Sequence, residues 1–344
     1  MTVHLLPTTL VGSYPQPGWL VDKAQLLASG PPRVRMEKVW RLTGDLLVEA
    51  QQDAARLAVA DQEQAGIDIV TDGEVGRESY FNLFATGLDG IDLDRPGVVK
   101  SRLGRDTLVP RVAGPIAWRT SPLKHAAAFL RSLTSRPIKV TVPGPFTLTM
   151  LAKDDYYGDP RALALAYAAA VNCELGELKS AGVDVVQLDE PYLQAHPEQA
   201  RAFGLEAVNA ALDGIDGPTA LHMCFGYAYV VKDKPAGYSF FAELADCAAR
   251  QISIEAAQPR LELSLLRQLP GKQIMVGVLD LGSEAVETTG EVAQRIRAAL
   301  EHLPAERLIL APDCGMKYLP REIAFAKLRA MCQGADIVRS ELAG

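Results

Sequence analysis

The stretch LHMCFGY, residues 221–227, sets a histidine and a cysteine two positions apart in a chain that holds five of each. On a β-strand, side chains at i and i+2 share a face, so His222 and Cys224 can converge on one centre. An imidazole nitrogen and a thiolate are both zinc donors. H-x-C by itself is weak evidence and reads more readily as the ordinary end of a strand, so the pair needs partners. Two are available. Cys314 in APDCGMKY lies between a proline and a glycine, a loop setting where an inert thiol is not expected. Glu255 closes the apolar run ISIE and needs a partner or solvent there.

Together the four give one nitrogen, two sulfurs and one carboxylate oxygen, a set that favours zinc over magnesium or calcium. Two thiolates and a carboxylate outweigh the charge of the ion. Such a centre is a weak Lewis acid for water, but it can exchange a ligand for a substrate thiol and keep that thiol deprotonated. A free thiol, with a pKa of about 8.5, is only a few per cent ionised at pH 7. A closed four-ligand site can also be a purely structural staple. Cys173, Cys247 and Cys332 fall in apolar helical patterns and read as core. His4, His125, His196 and His302 sit in polar or terminal contexts and read as surface residues.

Positioning such a set requires strands that end on one side of a sheet. Eight β-rich segments recur, at 8–14, 67–74, 138–145, 183–191, 219–226, 252–257, 273–280 and 307–315. Most are near-continuous apolar runs, as expected of parallel strands covered on both faces. Helical patterns lie between them, at 158–182, 287–303 and 319–335, with a longer one over roughly 31–66. Eight such units predict a single α/β domain, a (β/α)8 TIM barrel spanning 1–344. The polar, turn-rich segment 90–118 reads as an antiparallel β excursion inserted after strand 2. In a barrel of this kind, functional side chains gather at the C-terminal strand ends. Those ends carry Ser13, Asp72, Glu74, Asp189, Glu190, His222, Cys224, Glu255, Asp280, Asp313 and Cys314, more chemistry than a structural rim needs.

Composition bounds the partners. The chain has 344 residues, 48% hydrophobic and 22% charged, with a net charge of −7. That balance argues against nucleic acid or an anionic membrane as the main partner. No apolar run is long enough to span a bilayer, and the N-terminus MTVHLLPTTL lacks a charged-then-apolar leader, which predicts a cytoplasmic protein. Scattered cysteines, odd in number, do not form a disulfide framework.

At these residues the chain resembles the catalytic half of cobalamin-independent methionine synthase, a family of zinc enzymes that methylate homocysteine. The stretches that carry the resemblance are VGSYPQP, DGEVGRESYF, VPGPFTL, VVQLDEP, LHMCFGY, ISIE and APDCGMKYLPRE, running from residue 11 to about 325. The resemblance implies zinc held by His222, Cys224, Glu255 and Cys314. It makes Val11, Gly12 and Ser13 part of an amino-acid thiol cradle, and gives Glu74 and Asp189 the substrate ammonium.

Three departures concern the methyl donor. Only one barrel is present, as in short, core-type members. The family's folate-side tryptophan is missing from GPFTLTML, which offers Phe146, Met150 and Leu151. Gly282 stands where the long form has a proton-donating histidine, so the catalytic acid is unknown. The donor can therefore be a folate or a methylcorrinoid protein. An alternative within the same chemistry resembles epoxyalkane:coenzyme M transferase, whose sulfonate thiol would want a cationic pocket. Arg77, Lys317 and Arg321 are candidates for that pocket, or else surface pairs. A metal-free lyase resembling uroporphyrinogen decarboxylase would leave Cys224 and Cys314 unexplained.

Overall fold

The computed structural model describes residues 5–100, 104 and 106–344. His4 lies outside the described residues. Among the described residues ten strands run in order: β1 (Val70–Thr71), β2 (Asp89–Lys100), β3 (Asp106–Ala117), β4 (Ile138–Pro143), β5 (Lys153–Asp154), β6 (Val185–Asp189), β7 (Thr219–Met223), β8 (Gln251–Ile254), β9 (Gln273–Leu279) and β10 (Leu308–Pro312). Seven form one parallel sheet in the order β1-β4-β6-β7-β8-β9-β10. Strands β4, β6, β7, β8 and β10 are buried along their whole length, which explains runs such as VVQLD and LILAP that do not alternate.

The sheet curls until its edges meet a common neighbour. Ile69 N donates to Thr8 O at 3.0 Å on one side, and Thr9 N donates to Leu310 O at 2.9 Å on the other. Thr8 and Thr9 make isolated parallel bridges to Leu310 and Ile69. The first β-rich segment therefore pairs only at Thr8 and Thr9. Beyond them the chain turns to carry Val11–Ser13 across the strand ends.

Strands β2 and β3 pair antiparallel, and β3 pairs in parallel with β5, forming a small second sheet. Helices cover the large sheet. Pro160–Ser180 starts with Asp159 accepting from Arg161 N and proline at the first turn, and Thr289–Leu300 starts on a reciprocal Thr288/Glu291 capping box. The helix expected over 31–66 is confined to Gly44–Ala65. Pro31 and Pro32 cannot donate backbone hydrogen bonds, and a residue that precedes proline avoids the helical region. The segment before the helix is irregular apart from a short turn at Glu37–Val39. A further difference concerns Cys173, expected in the core but exposed on the outer face of Pro160–Ser180. Among the described residues no helix is long and apolar enough to cross a membrane.

Candidate metal and substrate site

Register puts the chemistry in a row. Asp189 on β6 pairs with His222 on β7, which pairs with Ser253 on β8. Adjacent parallel strands thus hold a carboxylate, an imidazole and a hydroxyl side by side at their C-terminal halves. His222 Nδ1 lies 2.9 Å from Ser253 Oγ, while Nε2 is buried with no hydrogen-bond partner among the described residues. One ring nitrogen is held and the other is left for a ligand.

His222, Cys224 and Cys314 form a buried group whose donor atoms all lie within 4.8 Å of one another. Cys224 follows β7 directly, and Cys314 comes two residues after β10. The thiols also interact: the hydrogen bond with Cys224, then burial, pushes the Cys314 thiol well above its ordinary range. A divalent cation would reverse that shift, because coordination deprotonates a thiol outright. Burial pulls His222 down, but the Cys224 sulfur and the Asp189 carboxylate together hold it above its ordinary range.

Glu255 stands apart from the three. It follows β8, is fully buried, and one carboxylate oxygen makes an ion pair with Lys234 Nζ. Its other oxygen, Oε1, is buried without a partner among the described residues. An orphaned nitrogen on His222, two neighbouring thiols and an orphaned oxygen on Glu255 fit a thiophilic divalent cation. Sequence reasoning missed Lys234, which lies in a loop without periodicity.

Asp313 ties these strand ends together. Its carboxylate accepts from Ala256 N, Ala257 N and Gln258 N at 2.9, 2.9 and 2.6 Å, joining the loop after Glu255 to the residue before Cys314. Glu190 is also a positioning group, accepting from Phe146 N, Thr147 N and Thr147 Oγ1, although burial pushes it up to about 8. Asp72 accepts from Arg77 Nη2 with both oxygens at 3.1 Å and from Glu74 N at 2.9 Å, and so braces the turn that carries Glu74.

Beside the cluster opens a cavity of about 520 Å³, lined by Val11, Gly12, Ser13, Glu74 and Asp189 together with His222, Cys224 and Cys314. Glu74 is a non-glycine residue in the left-handed region, φ 53°, a conformation that costs about 1–3 kcal/mol and needs support. Thr141 Oγ1 donates to Glu74 Oε1 at 2.9 Å, and Oε2 is buried with no partner among the described residues. Gly12 packs directly on this carboxylate, where an added Cβ would collide with Oε1. Burial pushes Asp189 up to about 7, against the pull of His222 and with help from Glu74. Two buried carboxylates, one with an orphaned oxygen, suit an ammonium group.

The cationic candidates lie elsewhere. Arg77 is bound to Asp72, Lys317 donates to Arg77 O at 2.9 Å, and Arg321 pairs with Asp61 at 2.7 Å; none lines the cavity. Phe146 is wholly buried against Phe203, so the cavity's aromatic surface comes instead from Tyr80, Tyr192, Tyr227 and Tyr229. Gly282 lines a smaller cavity of about 120 Å³ that shares Tyr227, Tyr229 and Gly315 with the larger one.

A curled, mostly parallel α/β sheet brings an imidazole and two thiols together beside a carboxylate-lined cavity, a donor set suited to a metal ion. The chain matches the family model for the catalytic domain of cobalamin-independent synthase over residues 6–336. It is 34% identical over 346 residues to a methionine synthase of Saccharolobus solfataricus, covering 98% of this chain and 96% of that relative. A methionine synthase of Sulfurisphaera tokodaii is 32% identical, over 98% of this chain and 94% of the relative. Among solved structures, a B12-independent methionine synthase from Shewanella sp. W3-18-1 in complex with selenomethionine superposes with a TM-score of 0.90 at 35% identity, covering 98% of this chain and 99% of that one. The chain belongs to the cobalamin-independent methionine synthase family.

Proposed function

We propose that this chain is a zinc-dependent methyltransferase that passes a methyl group to homocysteine, forming methionine without bound cobalamin. The convergence of His222, Cys224 and Cys314 beside Glu74 and Asp189 carries this reading. We read the sheet as a (β/α)8 barrel, with residues 8–9 as the eighth position and the β2–β3 pair as an insertion.

His222, Cys224 and Cys314 would hold zinc, with Glu255 as the fourth ligand. Zinc bound there supplies the positive charge that keeps the acceptor thiol deprotonated at neutral pH. The remaining work falls to the chain. Glu74 and Asp189 take the substrate ammonium and so fix the sulfur relative to the thiol cluster. Ser13, two per cent exposed with Oγ 3.5 Å from Tyr227 Oη, bounds the same pocket with Val11 and Gly12. Sulfur then bonds to the methyl carbon as the bond to the donor breaks, and the donor keeps that electron pair. The donor is a folate or a methylcorrinoid protein.

The purified, zinc-loaded protein incubated with homocysteine and a panel of methyl donors should yield methionine with at least one. Absence of product with every donor, in protein shown to contain zinc, overturns the proposal. An acceptor ending in sulfonate, as in coenzyme M transfer, would leave the two carboxylates without a cation. Titrating both thiols against cobalt-substituted protein separates the readings by which one changes the visible spectrum.

A further inference from the structure

Arg33 is a buried cation with no ion-pair partner among the described residues. It is 8% exposed, lines the cavity and is the only arginine or lysine among the described residues that does so. Its Nη1 is buried with no hydrogen-bond partner among the described residues, and no ion pair to it occurs among them. Two other buried cations have ion-pair partners: Arg77 pairs with Asp72 and Lys327 with Glu287. Burial pulls Arg33 down, and the hydroxyls of Tyr80, Tyr192 and Tyr318, Tyr80 also through a hydrogen bond, hold it above its ordinary range. Burying an unpaired charge is costly, so a guanidinium placed this way points to an anion that arrives with a ligand.

The placement is built. Pro32 O accepts from Ser79 Oγ at 2.7 Å and Val34 O accepts from Asn82 Nδ2 at 3.0 Å, pinning the backbone on both sides of Arg33. Its guanidinium carbon sits 5.3 Å from the Tyr80 ring centre and 5.4 Å from that of Phe81, which fixes the planar group against two rings. The charges that bear most on Asp189, His222 and Cys314 include Glu74, Glu255, Lys139 and Lys234, but not Arg33.

We propose that Arg33 is an anion-recognition residue of this cavity, taking a carboxylate- or phosphate-class oxyanion of a bound substrate in bidentate fashion. The inference rests on the proposed function, under which two sources exist: the α-carboxylate of homocysteine and an anionic group on the methyl donor. In Arg33→Met, removal of the charge-assisted bonds should weaken the anionic partner by about 10- to 100-fold and leave zinc content unchanged. Arg33→Lys, which keeps the charge but not the fork, should fall between, and it serves if the methionine variant does not fold.

Three measurements separate the outcomes. Affinity for homocysteine is compared with that for its decarboxylated analogue, 3-aminopropane-1-thiol; a loss confined to homocysteine assigns Arg33 to the acceptor. KM for 5-methyltetrahydrofolate is compared with the rate of methylation by uncharged methyl iodide; a loss confined to the folate assigns it to the donor. Calorimetric binding of inorganic sulfate, which needs no turnover, should disappear in Arg33→Met. If the wild type makes no methionine yet binds sulfate through Arg33, the function is wrong and the anion site stands. Unchanged sulfate binding, homocysteine affinity and folate KM in both variants overturn the inference.

Discussion

His222 Nδ1 lies 2.9 Å from Ser253 Oγ, across the register pair that joins β7 to β8. That contact selects which ring nitrogen is left for a ligand and holds the imidazole plane. Partners of this kind contribute about 10- to 100-fold to metal affinity. Ser253→Ala should therefore bind zinc about 10- to 100-fold more weakly in a chelator competition, without loss of fold. His222→Ala and Cys314→Ser should lose zinc and transfer together. Wild-type zinc affinity in Ser253→Ala would show that packing alone orients the ring.

The acceptor half of the site should separate from the metal half. Asp189→Asn is expected to weaken homocysteine by about 10- to 100-fold while zinc stays stoichiometric, since charged hydrogen bonds contribute about 1.5–3 kcal/mol. Gly12→Ala should act on the same step from outside the contact, because its Cβ occupies the place of Glu74 Oε1. Measuring zinc content and homocysteine affinity on each variant decides this. Parallel loss of zinc in Asp189→Asn and Cys314→Ser would sink the division of roles.

Much of this site was legible in the sequence because strand ends are. Apolar runs fix where β6, β7, β8 and β10 lie, and the polar residues that close them must emerge on one side. Lys234 and Arg33 were not legible. One lies in an aperiodic loop, and the other was absorbed into a helical reading of 31–66 despite two consecutive prolines. Cys173 was misplaced because LALAYAAAV is apolar around most of the helix, so periodicity gives little contrast between its faces. Pairing across the chain, such as Asp313 with the amides after Glu255, has no local signature at all.

Lys234 and Glu255 give a test in the metal-free protein. Removing one partner of a buried ion pair costs about 3–5 kcal/mol, since the other charge is left uncompensated. Lys234→Met should destabilise the metal-free protein, and zinc beside Glu255 should restore most of the loss. The rise in Tm on adding zinc is then larger in the variant than in the wild type. An equal rise in both would place Glu255 outside the influence of the metal.

Lys139 gives the pH dependence. It is 1% exposed, with Nζ 3.6 Å from Met275 Sδ, and burial lowers it to about 7 against the pull of Asp189 and Glu74. Between pH 7 and the ordinary lysine range, the unfolded chain binds more protons at this position than the folded one. Stability from this residue therefore rises with pH across that window and is lost as pH falls through about 7. Each pKa unit corresponds to about 1.4 kcal/mol, so the full span is on the order of a few kcal/mol. Lys139→Met removes the penalty of burying the ammonium, and the variant should gain most over wild type at pH 6.5 and least near pH 10. Urea unfolding of both proteins at pH 6.5, 8 and 10 measures the difference. A gap that stays constant with pH would mean that Lys139 keeps one protonation state throughout, with Asp189 and Glu74 supplying its counter-charge until the substrate ammonium arrives.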